Sequence, residues 1–421
     1  MRNVLCGFMC LFLLAAPGFA EQPVLKKGDR LAIVGDSITE QKLYSKFIET
    51  YLQACYPQLE VQCFQYGWGG ERAPGFASRM ENDLIPWHPT VVTTCYGMND
   101  GSYRAYDDNI GAAYAEGMKQ IVNRMKTAGA TVVVGSPGVV DSQTWNRGNP
   151  DFDQVYNDNL RHLGQIAADL ARENQLPHAD VFGTMMKSMV AAKAKLGDEY
   201  AVAGGDGVHP GANGHLIMAY AFLRAMGLDG AIGTISLDLA DGQAQATEGH
   251  RVIESKDGAV QIESVRYPFC FTGDDKDANQ TASILPFLPF NQDLNRLILK
   301  VSHLKTPSAE VTFGTETRTF TADQLTSGIN LAAEFQHNPF SEPFQRVLNE
   351  VGHKQNYETF MIKNMLTNFR SFGDSLNSDS ELRAAVDVIR RKMTAVNDEA
   401  HSKVKATVQP VTWNLTVKGV Q

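Results

Sequence analysis

Short apolar runs alternate with stretches of helical periodicity through the first half of the chain. Leu31-Ala32-Ile33-Val34, Val61-Gln62-Cys63-Phe64, Thr90 to Tyr96 and Thr131 to Gly135 read as buried parallel strands, and His178 to Phe182 as a weak fifth. Between them, Leu43, Phe47, Ile48, Tyr51, Leu52 and Cys55 recur at helical spacing, as do Ile110, Tyr114, Met118, Ile121, Val122 and Met125. Phe152, Tyr156, Leu163, Ile166 and Leu170 mark a third helix, and Leu216, Ile217, Tyr220, Leu223 and Met226 a fourth. Strand and helix in alternation at these intervals predict right-handed crossovers and a five-stranded parallel sheet with helices on both faces. The loops leaving the strand ends then share one rim, which carries Ser37, Gly70, Asn99 and Pro137.

From about Leu228 the pattern changes. Ile253, Val260-Gln261-Ile262, Leu297 to Val301 and Ala309 to Phe313 alternate with polar residues and are broken by Asp-Gly and Lys-Thr-Pro turns, which predicts an antiparallel sheet or small sandwich. Helical stripes follow at Phe344, Val347, Leu348 and Val351, at Phe360, Met361, Met365 and Phe369, and at Leu382, Val386, Ile389, Met393 and Val396. Val411 to Val417 returns to a strand pattern. The expected layout is a domain at 21–230 and a mixed β-plus-helix region at 231–421, β-rich over 231–333, helical over 334–405 and closed by a strand at 409–418. The polar, proline-containing stretch 266–294 reads as a surface insertion.

Composition agrees with this layout. A chain of 421 residues that is 43% hydrophobic and 20% charged has material for large cores, and roughly 150 residues per domain predicts two or three units. Residues 1–20 stand apart: Arg2 is their only charge, an apolar run from Val4 to Ala16 follows, and Gly18-Phe19-Ala20 offers small residues for cleavage. This is the pattern of a signal peptide and an exported protein, periplasmic or extracellular. Its removal takes the net charge from −9 to −10, a poor balance for binding nucleic acid, and no later stretch has the apolar length of a membrane span. Cys55, Cys63, Cys95 and Cys270 show no metal-type spacing and read as buried thiols, with Cys55 and Cys63 the one pair near enough in sequence to bridge.

Candidate chemistry sits where strands end. Gly35-Asp36-Ser37 breaks the first apolar run and lifts Ser37 onto a tight turn at the carboxyl edge of the sheet, where open α/β sheets hold their ligands. The bland alternative is that Ser37-Ile38-Thr39-Glu40 is a Ser-x-x-Glu capping box opening an ordinary helix. In Gly204-Gly205-Asp206-Gly207-Val208-His209-Pro210-Gly211 a turn brings Asp206 and His209 to one side, although a solvated histidine fits the same residues. Asn99 competes between a substrate contact and a helix cap.

Taken together, Gly-Asp-Ser-Ile-Thr at 35–39, the glycine turn at 67–70, Gly-Met-Asn-Asp at 97–100 and Asp-Gly-Val-His-Pro at 206–210 resemble, in order and spacing, the motifs of SGNH hydrolases, also called GDSL esterases. The resemblance covers about residues 28–228 and implies a three-layer, flavodoxin-like hydrolase domain. It implies Ser37 as nucleophile, Asp206 and His209 as the rest of a triad, and Ser37, Gly70 and Asn99 as oxyanion-hole donors, with Gly69 competing for the glycine. Many relatives carry Asn where this chain has Gln65. The C-terminal half loosely resembles the accessory region of some exported bacterial members.

These residue types suit the implied chemistry. A serine hydroxyl needs a neighbouring base to become an effective nucleophile, histidine exchanges protons near neutrality, and aspartate holds the imidazole in the useful tautomer. The tetrahedral intermediate calls for preplaced N–H donors, and the scheme needs neither metal nor cofactor. Asp36 is expected to serve the turn and not the chemistry. The expected activity is hydrolysis of small acyl esters, acetyl foremost, on a carbohydrate or small molecule, with Trp68, Arg72, Trp145 and Arg147 as candidate substrate contacts at the rim. The same triad serves a lipase, lysophospholipase or thioesterase, and a carbohydrate-binding protein on a hydrolase scaffold is the non-catalytic alternative.

Overall fold

The computed structural model describes residues 23–141, 151–274, 277 and 279–420. The first half runs β1 (Arg30–Gly35), α1 (Ser37–Glu40), α2 (Tyr44–Ala54), β2 (Gln62–Gln65), α3 (Ala73–Asp83), β3 (Val91–Cys95), α4 (Asp108–Thr127), β4 (Thr131–Gly135), α5 (Phe152–Glu173), β5 (His178–Ala179), α6 (Val181–Leu196) and α7 (Ala212–Ala225). Its five strands are all parallel in the order β2-β1-β3-β4-β5. The direction of strand addition reverses between β1 and β3, and the crevice that such a reversal opens lies at the strands' carboxyl ends.

The apolar runs are continuous because both faces of this sheet are covered. Leu31 and Ile33 of β1 point into one buried cluster with α2 and α7, and Ala32 and Val34 into another with α3 and α4. The fifth strand is shorter than the predicted His178 to Phe182. Asp180 accepts the Gly183 N–H and starts α6 at Val181, so the apolar residues beyond it are helical.

The second half holds two sheets. β6 (Ala231–Asp238), β7 (Ala244–Ala246), β10 (Arg296–Ser302) and β13 (Ile329–Asn330) form a four-stranded sheet in the order β13-β10-β6-β7. β8 (His250–Lys256), β9 (Ala259–Ser264), β11 (Ser308–Phe313), β12 (Glu316–Thr321) and β14 (Val411–Val420) form an antiparallel sheet in the order β12-β11-β14-β9-β8. The expectation of antiparallel pairing throughout is corrected at β6 and β10, which run parallel. Alternation along one strand does not distinguish the two, because the side-chain period is the same. Ile235, Leu237, Leu297 and Leu299 of one sheet share an apolar cluster with Ile262, Val311, Trp413 and Leu415 of the other.

Residues 266–294 are not a surface insertion. Tyr267, Phe269, Ile284 and Phe290 are buried, and Phe269 packs its ring against Phe47 of α2 as well as Phe290 and Phe344. The stretch carries the short α8 (Phe290–Asp293); α9 (Ala322–Ser327) and α10 (Leu331–Glu334) follow in the sheet connections. Aromatic residues spaced too irregularly for a helix or strand pattern here join the two halves.

The later helices are α11 (Ser341–Asn364), the short α12 (Ser375–Ser378) and α13 (Ser380–Thr407). α11 lies against α2 and β2, so the C-terminal helices cover the open edge of the parallel sheet. Its docking is polar at the centre. Lys354 is fully buried and reaches Glu358 at 2.5 Å, Glu49 at 2.9 Å and the Cys63 carbonyl at 2.8 Å, while Gln355 donates to Glu49 and accepts from Ser45. Burial alone would lower the Lys354 pKa, but Glu358 and Glu49 raise it, so the ammonium stays charged. Replacing Lys354 with Met leaves two carboxyl groups buried without their cation, which typically costs about 3–5 kcal/mol. Chemical denaturation of Lys354→Met is expected to show a loss of that size, and a loss under about 1 kcal/mol would refute the ionic account of this docking.

Candidate active site

Ser37 is the first residue of α1, immediately after β1, and its Oγ lies 2.8 Å from His209 Nε2 although the two are 172 positions apart. His209 Nδ1 lies 2.7 Å from Asp206 Oδ2. The loop that holds them is pinned internally: Asp206 Oδ1 accepts the N–H groups of Val208 at 2.9 Å and His209 at 2.8 Å. Burial alone would raise the Asp206 pKa, but these N–H groups and the His209 ring outweigh it and hold the carboxylate below its ordinary value. Gly204 closes the loop from behind, where a Cβ would fall 1.8 Å from the His209 carbonyl oxygen. The three side chains therefore form one hydrogen-bonded line from hydroxyl to carboxylate.

The loops after β2 and β3 carry the other expected donors, Gly70 and Asn99. The turn after β2 places Gly69 and Gly70 in the open, and the two differ in what their N–H groups do. Gly69 donates to Glu40 Oε2 at 2.5 Å, whereas the Gly70 N–H has no protein acceptor among the described residues. Gly70 also has φ of +72°, a conformation that a side chain strains. Asn99 follows β3, and its amide is oriented at both ends: Nδ2 donates to the Glu71 carbonyl at 3.1 Å, and Oδ1 accepts the Tyr103 hydroxyl at 3.0 Å. Asn99 caps no helix, since Asp107 caps α4. One Nδ2 hydrogen remains available for another acceptor.

Residues 33–217 match the family model described as the GDSL-like lipase/acylhydrolase family. They form an SGNH/GDSL hydrolase domain, and the chain is an ester-bond hydrolase. A curated acetylxylan esterase of Geobacillus stearothermophilus is 24% identical over 227 residues, covering 48% of this chain and 95% of its own. A solved structure described as a gut microbial diltiazem-metabolizing enzyme is 22% identical with a TM-score of 0.71, and covers 94% of this chain and 98% of that one. That likeness shows that the fold of both halves recurs in another protein.

Within the GDSL-like domain, the capping-box reading of Ser37 is replaced by another arrangement. Asp36 is the N-cap of α1 and accepts the Ile38 N–H at 3.0 Å, while the Glu40 carboxylate turns away to Gly69 and to Lys363 of α11. Gln65, the departure from many relatives, is buried and donates to the Thr39 carbonyl at 2.8 Å, tying the turn to α1. Glu71 was not singled out in the sequence, yet its carboxylate takes a bidentate contact from buried Arg79 at 2.6 and 2.8 Å and a hydrogen bond from Tyr96 at 2.7 Å. Such a residue has no local signature, because its partners lie on α3 and just after β3. Asp100 accepts the Ala73 and Gly97 N–H groups and links the two donor loops.

Of the rim candidates, Trp68 is half-buried with its ring centroid 4.9 Å from the Arg79 guanidinium, and Arg72 is exposed at the start of α3. Trp145 and Arg147 lie outside the described residues. Cys55, Cys63, Cys95 and Cys270 are all buried free thiols. Among the described residues, no group of three His, Cys, Asp or Glu side chains is placed to hold a metal ion.

Burial raises the Asp36 pKa to about 7, with the Asp100 and Glu71 carboxylates adding to the shift. Between its ordinary value of 3.8 and about 7 the folded protein therefore binds more of this proton than the unfolded chain does, and stability from this group falls as pH rises through that interval. Asp36→Asn keeps an acceptor for Ile38 and removes the titration. Thermal unfolding from pH 4.5 to 8 is expected to show the variant gaining on the parent by on the order of a few kcal/mol as pH rises. A constant difference across that range would contradict the assignment.

Proposed function

We propose that the protein is an exported serine esterase that removes small acyl groups, acetyl foremost, from a carbohydrate. The supporting observation is the line of hydrogen bonds Ser37 Oγ, His209, Asp206 at the carboxyl edge of the sheet. In this reading His209 Nε2 takes the Ser37 proton as Oγ attacks the ester carbonyl carbon. Negative charge gathers on the former carbonyl oxygen, which receives the N–H groups of Ser37 and Gly70 and the free Nδ2 hydrogen of Asn99. The Ser37 N–H suits this role because the first N–H of a helix has no partner within it.

Collapse of the intermediate expels the alcohol, which takes its proton from His209, and leaves the acyl group on Ser37. Water then repeats the sequence, with His209 again as base, and frees the acid. Asp206 keeps Nδ1 protonated and stabilises the imidazolium that forms in each half. Asp36 takes no part, since its carboxyl faces the backbone of α1.

The acetyl and carbohydrate parts draw support from the acetylxylan esterase relative, and export from the apolar segment at residues 1–20. No helix among the described residues is long and apolar enough to cross a membrane. Assays of the mature protein on acyl esters of increasing chain length and on acetylated xylan are expected to favour acetyl. Preference for long chains would move the reading to a lipase, and firm glycan binding without any hydrolysis would move it to a binding protein. Ser37→Ala is expected to lose several orders of magnitude in kcat, and Asn99→Ala about a hundredfold to a thousandfold. Turnover by Ser37→Ala within tenfold of the parent would refute Ser37 as nucleophile.

A further inference from the structure

We propose that Lys363, carried by α11 of the C-terminal half, is a positioning residue that fixes the oxyanion turn of the GDSL-like domain; this rests on the reading of Gly70 as an oxyanion donor. Lys363 Nζ pairs with Glu40 Oε1, and it sits 4.9 Å from the centroid of the Trp68 ring. The other oxygen of the same carboxylate, Glu40 Oε2, accepts the Gly69 N–H at 2.5 Å. Glu40 closes α1, the helix that Ser37 opens. One carboxylate thus connects the nucleophile's helix, the glycine turn and a helix more than 300 residues downstream.

The arrangement answers a specific physical need. Two successive exposed glycines have more backbone freedom than any other pair, and the Gly70 N–H must nonetheless aim at one point. The turn is held at both flanks: the Glu40 carboxylate fixes the Gly69 N–H ahead of Gly70, and Asn99 Nδ2 fixes the Glu71 carbonyl behind it. The second flank is secured by the buried Arg79 network. The first depends on a carboxylate about one-quarter exposed, which Lys363 restrains from turning to solvent. Lys42 is the other cation nearby; its Nζ donates to the Glu40 carbonyl at 2.8 Å, and among the described residues the ion pair to the Glu40 carboxylate is made by Lys363.

Thr359 and Glu358 reinforce the same contact, since Thr359 Oγ1 donates to Gln65 Oε1 at 3.2 Å and Glu358 Oε2 accepts the Gln65 N–H at 3.0 Å. Consecutive turns of α11 therefore grip the start of the glycine turn and the carboxylate that steadies it. The C-terminal half acts on the proposed chemistry without supplying a group that touches substrate.

The test compares Lys363→Met, Lys363→Arg, Glu40→Ala and the Lys363→Met/Glu40→Ala double variant of the full mature chain, with Ser37→Ala alongside. Hydrolysis of 4-nitrophenyl acetate and hydrogen exchange of residues 66–72 are both measured. Lys363→Met is expected to lower kcat about 5- to 50-fold, below the roughly hundredfold cost of losing a donor outright, with KM within about twofold. Arginine should restore most of the loss, and the double variant should be no worse than Glu40→Ala, because both substitutions break one connection. Exchange across 66–72 should quicken in Lys363→Met while the loop 204–210 is unchanged. Unaltered kcat, a loss confined to KM, no recovery with arginine, or unchanged exchange would each overturn the proposal. Turnover by Ser37→Ala, or none by the parent, would instead refute the esterase reading, and the exchange measurement would still decide whether Lys363 holds the turn.

Discussion

In the proposed chemistry, a hydrogen-bond donor that stabilises a transient charge has to be held still and left unpaired at once, and these demands conflict in a glycine turn. Around Gly70 the conflict is met by pairing the groups on either side. Gly69 donates its N–H to Glu40, the Glu71 carbonyl accepts from Asn99 and its carboxylate from Arg79 and Tyr96, and the Gly70 N–H is left without an acceptor among the described residues. The same logic governs Asn99, whose oxygen is fixed by Tyr103 so that its nitrogen faces the turn. Preorganisation of this kind is effective because the donors need not reorient as charge develops.

Those pairings draw on every layer of the protein. β1 and β3 flank the reversal of strand order and set Ser37 and Asn99 on adjacent loops, and the loop ahead of α7 brings Asp206 and His209 to the same edge. The second half completes the arrangement from outside. Its α11 is docked through a buried lysine shared by two glutamates and reaches the rim one helical turn and more beyond that lysine, at Thr359 and Lys363. The buried charges make the docking costly to form incorrectly, since a shifted helix would leave Glu49 or Glu358 without its cation.

Much of this was legible along the chain, and the reason is local. A doubly covered strand needs an unbroken apolar run, so Leu31 to Val34 and Thr131 to Gly135 announce themselves, and the loops after them follow from order alone. Gly-Asp-Ser, Gly-Met-Asn-Asp and Asp-Gly-Val-His are compact motifs, each spelled out within a few consecutive positions. By contrast, the parallel pairing of β6 with β10, the buried aromatic stretch 266–294 and the helix α6 gave little or misleading local signal.

What the sequence by itself determined was the alternation that builds the parallel sheet, the hydrolase family of its motifs and which residues stand at the strand ends. Only the tertiary structure decided that, among the described residues, Gly69 and not Gly70 finds an acceptor for its N–H, that Glu40 leaves the capping box it spells, and that Lys354 and Lys363 from the far end of the chain reach the first domain. Periodicity reports which face of an element is buried. It carries no information about which distant polar group will meet another, because that depends on how whole elements dock.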